Sequence, residues 1–322
     1  MNSSLNMMYK ALNMSKQGFH QYLDRQMKAE EQSSYLAVLI AQVRADHPTL
    51  SCRAMYHKIK PETMGRDAFE LLCNQLGFNI ERGINYTRTT DSSGVVRFKN
   101  LLTDLVITDL DQVWSSDITY YEINNQFYYI TFVMDNYSRR ILGHSVSNRM
   151  FTEQTTLPAL NQALGTRNGQ VKAGLIFHSD GGGQYYDKAF LSLTQTHGIK
   201  NSMCEMAWEN GKAERLNGII KNNYLIHMQT TTQQELCTNV DRAVQLYNHE
   251  RPHKMLKYRT PVAYEKEMVL LPSQTRPTMI SSFDAKTMHG AIIGASSPNN
   301  ALQTRPQNPS LFSTITTDES GQ

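Results

Sequence analysis

At 322 residues, with 40% hydrophobic and 19% charged side chains, the chain can bury a sizeable core and suits two or three domains, which excludes a wholly disordered polymer. No run approaches the roughly 18 consecutive apolar residues of a spanning helix, and the N-terminus lacks the basic-then-apolar shape of a signal peptide, so an intracellular protein away from membranes is expected. Cys52, Cys73, Cys204 and Cys237 form no C-x-x-C pair and encode neither a disulfide framework nor a cysteine zinc site; the net charge of +3 neither requires nor excludes a nucleic-acid partner.

Residues 5–28 read as two short helices around Asn13 and Met14, with Ser15 placed to cap the second. This suits a helix-turn-helix element or an ordinary helical hairpin. From Glu30 to Phe78, Tyr35, Leu36, Val38, Leu39, Ile40 and Val43 form one wide apolar stripe. Ser51 caps a helix with Met55, Tyr56 and Ile59, and a third helix carries Phe69, Leu71, Leu72 and Leu76 before Gly77 stops it. The three make a trihelical unit. Its Arg53, His57, Lys58 and Lys60 either contact phosphates or form a solvated face.

Residues 85–111 read as a linker. From Trp114 the pattern changes to three β-rich runs separated by turn signals at Asn124-Asn125 and Asn136-Tyr137-Ser138, which predicts a meander. Helix 152–164, strand 173–178, helix 187–196, a short strand at 199–203 and two further helices follow, giving one mixed α/β sheet. The last stretch, 271–322, is rich in serine, threonine, proline and asparagine and is expected to be disordered.

Three carboxylates stand where chemistry would need them. Asp117 lies inside the first β-run beside Trp114, Ile118 and Tyr120, where a carboxylate costs several kcal/mol unless it is paired or holds a metal. Asp180 ends an apolar strand, at the carboxyl edge of the sheet where α/β sites collect. Glu214 shares a helical face with Asn217, Gly218 and Lys221, opposite the apolar Ala213, Leu216, Ile219 and Ile220; alone, that face also reads as solvated. Together they suit phosphoryl transfer with two metal ions, which needs carboxylates from separate elements converging on one cleft. Asp135 is a fourth carboxylate, better suited to capping the turn after it. His249, Glu250 and His253 match H-E-x-x-H as letters, but Pro252 breaks the helix that a zinc protease would require. Arg251, Lys254, Lys257 and Arg259 read either as DNA contacts on a basic loop or as part of a structural cap. Trp114 and Trp208 read as packing anchors, and His178 as a strand-end histidine.

The segments Trp114–Tyr120, Val133–Gly143, His178–Tyr185, Gly198–Met203, Glu209–Glu214 and Tyr247–His253 appear in an order that resembles the integrase-core transposases of bacterial insertion sequences, over about Leu5 to Glu265. The resemblance implies an RNase H-like fold: a mixed five-stranded sheet flanked by helices and preceded by all-α helix-turn-helix modules. It implies that Asp117, Asp180 and Glu214 are the catalytic and metal-binding residues, holding two Mg²⁺ ions for which Mn²⁺ can substitute. Strand cleavage at the element ends and strand transfer by the freed 3′-hydroxyl follow from the same resemblance. Lys221 matches the family's basic residue on the glutamate helix. The spacing between Asp180 and Glu214 is shorter than the family usually has, and Gly181 stands where a basic residue is usual.

The implied organisation is a helix-turn-helix element (1–28), a trihelical DNA-binding module (29–84), a linker (85–111), the catalytic core (112–270) and a tail (271–322). DNA contacts are expected from Lys221, Arg251, Lys254, Lys257, Arg53 and Lys58. The implied partners are element terminal repeats, target DNA, further copies of the chain in a synaptic complex, and an upstream-frame product; the implied location is the bacterial cytoplasm, at the nucleoid. A catalytically silent DNA-binding regulator and a related RNase H-fold nuclease are the alternatives.

Overall fold

The computed structural model of the protein describes residues 5–80, 98–204 and 207–280. Helix α1 (Leu5–Ala11) turns through Asn13, at φ 52°, into α2 (Lys16–Asp46). The Ser15 side chain accepts a 3.0 Å bond from the Gly18 amide and caps α2 as expected. Between Gly18 and Pro48 the sequence has no glycine or proline, so α2 continues for 31 residues through the position where 28/29 suggested a boundary.

The second half of α2 packs with α3 (Cys52–Ile59) and α4 (Arg66–Gln75) around Leu36, Ile40, Leu50, Met55, Phe69 and Leu72. The buried stripe is narrower than its apolar letters suggest. Tyr35, Val38 and Leu71 are more than half exposed, because only one face of each helix meets the others. Polar contacts fasten this bundle to the rest of the molecule, among them His47 Nδ1 to Tyr224 Oη at 3.0 Å, Lys58 Nζ to Glu250 Oε2 at 2.9 Å, and Arg242 Nη2 to Asp46 Oδ1 at 2.7 Å.

Of the expected linker, residues 98–111 are described, and they pack rather than swing. Leu102, Ile107 and Leu110 join Val113, Tyr137, Leu256, Tyr264 and Met268 in one apolar cluster. Strand β1 (Val106–Ile107) pairs antiparallel with β7 (Met279–Ile280), so the first residues after 270 are also ordered. The remainder of the expected tail, 281–322, lies outside the described residues.

The central sheet has strand order β4-β3-β2-β5-β6. Strands β2 (Val113–Ile123), β3 (Gln126–Asp135) and β4 (Ile141–Ser147) form the expected antiparallel meander. Asn124 and Asn125, at φ 51° and 63°, supply the left-handed pair of residues that a two-residue hairpin needs. After α5 (Thr156–Thr166), β5 (Ile176–Ser179) adds parallel to β2. Helix α6 (Lys188–Thr196) then returns the chain so that β6 (Lys200–Met203) adds parallel to β5. One face of the sheet buries Trp114, Val133, Leu142, Phe177 and Phe190 with α5 and α6. The other buries Tyr128, Ile130 and Phe132 against α7 (Gly211–Asn223) and α8 (Gln233–Gln245). Gly143 marks the closest approach: a Cβ there would sit 2.1 Å from the Ala159 carbonyl oxygen, so only glycine lets α5 lie on β4. A π-helical turn (Leu246–Glu250) ends α8, and α9 (Pro261–Leu270) closes the core with Pro261 in its first turn.

Candidate active site

The site forms where pairing stops. Strand β5 is hydrogen-bonded to β2 only across Val113, Trp114 and Ser115. Beyond Ser115, β2 keeps β3 on one side alone among the described residues, and Asp117, opposite Phe132, is the second residue past that point. Asp180 directly follows β5 on the neighbouring strand, at its carboxyl end. A parallel sheet whose strand ends early beside a longer neighbour thus brings two carboxylates to one edge.

Helix α7 delivers the third. Asn210 lies just before it and donates 3.0 Å to the Ser116 carbonyl, fixing the start of the helix against β2. Glu214 is in the first turn, exposed, and Asn217 three residues later is buried and donates 2.9 Å to Asp117 Oδ2. The shared helical face read from the sequence is therefore real, and Asn217 is its contact with the strand. Lys221, one turn further, places its Nζ 4.7 Å above the Tyr120 ring, and burial lowers its pKa.

Electrostatics single out Asp117. Burial, followed by the negative charges of Asp180 and Glu214, pushes its pKa up to about 7, although the Ile118 amide and Asn217 hydrogen-bond to it. Asp180 is also raised by burial, opposed by the Gly182 amide that donates to its Oδ1 at 3.1 Å. Three carboxylates within electrostatic reach, with two neutral donors at the most buried, leave a negative site whose charge a cation would relieve. Their hard oxygen atoms are the donors that Mg²⁺ takes, so the donor set and charge fit such an ion. Among the described residues no three His, Cys, Asp or Glu side chains stand gathered tightly enough to ligate one ion together.

Residues 108–207 match a family described as integrase core domain, and 197–261 match a second family of the same description. The chain is 26% identical over 270 residues to an uncharacterized 31 kDa protein of insertion element IS600 from Shigella sonnei, covering 81% of this chain and 98% of that one. It is 32% identical over 163 residues to the putative transposase of IS986/IS6110 from Mycobacterium tuberculosis, covering 48% of this chain and 58% of that one. Residues 108–261 thus match integrase core domains, and the chain is similar to insertion-sequence transposases. The integrase-core family is one of metal-dependent polynucleotidyl transferases acting on DNA. The transposase of IS629 from Shigella sonnei is 28% identical, and the match spans 58% of this chain and 62% of that one. Among solved structures, the HTLV-2 integrase catalytic core domain in complex with magnesium aligns over 52% of this chain and 99% of that chain, at 21% identity and a TM-score of 0.40.

Other candidates settle differently. Asp135 is wholly buried and caps its turn, accepting from the Ser138 amide at 2.6 Å, the Ser138 hydroxyl at 2.8 Å and the Asp111 amide at 3.0 Å. His178 is buried in β5 with Nδ1 3.0 Å from the Ser202 hydroxyl; burial lowers its pKa to about 4, so it is a neutral strand histidine. His249 belongs to the π-turn whereas His253 lies beyond Pro252 with its ring edge-on to Tyr247, so the zinc-protease letters share no helix face. Trp114 anchors the core; the Trp208 side chain lies outside the described residues.

The expected DNA contacts divide. Arg53 is held by Glu70 through bonds of 2.7 and 3.3 Å, and Lys58 by Glu250. Lys254 and Lys257 are exposed, while Arg251 is half-buried above the Tyr224 ring. Sequence reasoning missed Asn210, Tyr185 and Lys212. Asn210 and Tyr185 carry no charge pattern to betray them: the Tyr185 hydroxyl lies 2.9 Å from the Ser116 hydroxyl, beneath Asp117. Lys212, within the Glu209–Glu214 segment, carries no local sign of burial, yet burial and then Arg139 lower its pKa to about 7.

Proposed function

We propose that Asp117, Asp180 and Glu214 are the catalytic and metal-binding carboxylates with which this transposase cleaves DNA strands at the element ends and joins them to a target. The observation that carries this reading is the convergence of carboxylates from three elements, Asp117 on β2, Asp180 directly after β5 and Glu214 in the first turn of α7, with Asp180 and Glu214 near enough for their charges to raise the pKa of Asp117. Two carboxylate neighbours with no cation paired to Asp117 among the described residues suit a site built for a cation.

The three carboxylates would hold two Mg²⁺ ions, which when bound supply Lewis-acid activation of the attacking oxygen and neutralise charge on the phosphate. The chain's own residues do the positioning. Asn217 keeps Asp117 oriented towards α7, Asn210 keeps the helix start on the strand, and the Gly182 amide orients Asp180. The short segment between Asp180 and Glu214 is compatible with this reading, because Glu214 lies close enough to Asp117 to raise its pKa. Lys221, Lys254 and Lys257 are the cations that remain turned towards solvent or the site edge for phosphate contact, with Arg251 behind them. The residues before 80 would bind DNA as a unit, and two element ends would be paired by a homo-oligomer, with an upstream-frame product as a further partner.

The test is Mg²⁺-dependent cleavage and joining of labelled DNA carrying the flanking terminal repeats, wild type beside Glu214→Gln. Activity lost only in the variant, with end binding retained, is the expected result. Activity retained by Glu214→Gln removes it from the site.

A further inference from the structure

On the side of α7 away from the carboxylates lies a cavity of about 810 Å³ between the helical bundle and the sheet. Helical spacing separates the two sides: Glu214, Asn217 and Lys221 face Asp117 and Tyr120, whereas Lys212, Arg215, Leu216 and Ile219 line the cavity. The bundle contributes Ser51 to Ala54 and Glu70, and the chain after the π-turn contributes Arg251, His253 and Lys254.

The lining is lopsided in charge. Arg53, Arg139, Lys212, Arg215, Arg251 and Lys254 all reach it, against Glu70 as its one carboxylate, and Glu70 is already bonded to Arg53. Among the described residues, Arg139, Arg215 and Arg251 have no carboxylate within ion-pair distance; Asp135 acts on Arg139 only from further off. Arg251 Nη1 and His253 Nε2 are buried without a hydrogen-bond partner. Gathering guanidinium groups beside an open volume without acceptors is costly unless an anion supplies them, and the guanidinium fork matches phosphate oxygens. The volume far exceeds one phosphate and lies open to a chain of them.

We propose that this cavity is a phosphate-binding subsite that holds the backbone of a DNA strand across the seam between the helical bundle and the sheet. The inference rests on the DNA-transposase reading, and it adds Arg139 and Arg215 to the DNA-contacting surface. It places DNA against both faces of α7, so that the helix carrying Glu214 is gripped from behind as well as used in front.

The experiment is binding of the full chain to labelled duplex DNA at about 50 to 200 mM salt, where each lost phosphate contact lowers the slope of log affinity on log salt by about 0.9. Arg215→Gln, exposed and so dispensable for folding, is expected to lose that much slope and about tenfold in affinity on every sequence. Adding Arg139→Gln should roughly double the loss of slope, with a thermal melt to check folding. An unchanged slope in Arg215→Gln overturns the proposal. So does stabilisation of the wild type but not Arg215→Gln by sodium pyrophosphate with the DNA slope unchanged, which assigns the cavity to a free phosphorylated ligand. Glu214→Gln keeps the wild-type slope while losing cleavage. A wild type without cleavage that still shows the Arg215 slope difference refutes the catalytic reading and supports the subsite.

Discussion

Two aspartates on the same pair of strands have opposite fates. Asp117 and Asp135 both lie in the β2–β3 hairpin, Asp117 opposite Phe132 and Asp135 opposite Trp114. Asp135 sits inside a closed polar network: three donors reach it, and Asp111 beside it is bonded to Arg167 Nε at 2.9 Å and to the Trp114 indole at 2.8 Å. Arg167 and Arg140 in turn hold Glu265 on α9. Asp117 instead faces two other carboxylates. Burial raises both pKa values, Asp135 to about 6 with help from Asp111, so burial alone does not mark a site. What differs is the balance: the one carboxylate beside Asp135 is tied to Arg167 and three donor contacts reach Asp135 itself, whereas Asp117 has two carboxylate neighbours.

The comparison breaks most visibly in activity. Asp117→Asn is expected to lower Mg²⁺-dependent strand cleavage by about 10³-fold or more, whereas Asp135→Asn, if folded, should keep cleavage within about tenfold. Equal losses, measured on the same labelled ends, would erase the distinction between the two carboxylates. Stability should sort them the other way. Asp135→Ala strands the Ser138 and Asp111 amides and should cost about 3 kcal/mol in urea denaturation. Gly143→Ala, which drives a methyl into the α5 backbone, should cost a similar roughly 2–4 kcal/mol and reports on the same α5 face of the sheet.

Asp117→Asn should instead stabilise the metal-free chain. With a folded pKa of about 7 against 3.8 unfolded, the folded state pays for the charge fully above pH 7, less as pH falls towards 4, and nothing below that. The gain from Asp117→Asn is therefore expected to be about 1–4 kcal/mol at pH 8 and to vanish near pH 4, read from thermal melts across that range. A gain that grows on acidification would reverse the sign and refute the crowding of Asp117. The smallest effect belongs to the bundle contact: Lys58→Ala should cost no more than about 1 kcal/mol, because the Lys58–Glu250 pair is partly solvated. Loss of DNA affinity beyond that small change would return Lys58 to the DNA-contacting set.

By itself the sequence determined the meander, the alternating helices and strands after it, the caps at Ser15 and Ser51, and the helical face that joins Glu214 to Asn217 and Lys221. These depend on period, turn chemistry and capping, which act over a few residues and are written locally. It also marked the three carboxylates, through their places on a strand, a strand end and a helix, and the ordered segments that resemble the family. Only the tertiary structure decided that β5 stops pairing beside Asp117, that residues 98–111 pack as core rather than swing as a linker, and that Lys58 and Arg53 have partners within the fold. Lys212 and Arg215, which no local pattern singles out, line a cavity for the same reason. A charge's partner and a residue's burial are set by segments distant in the chain, and no local pattern records which of them will meet.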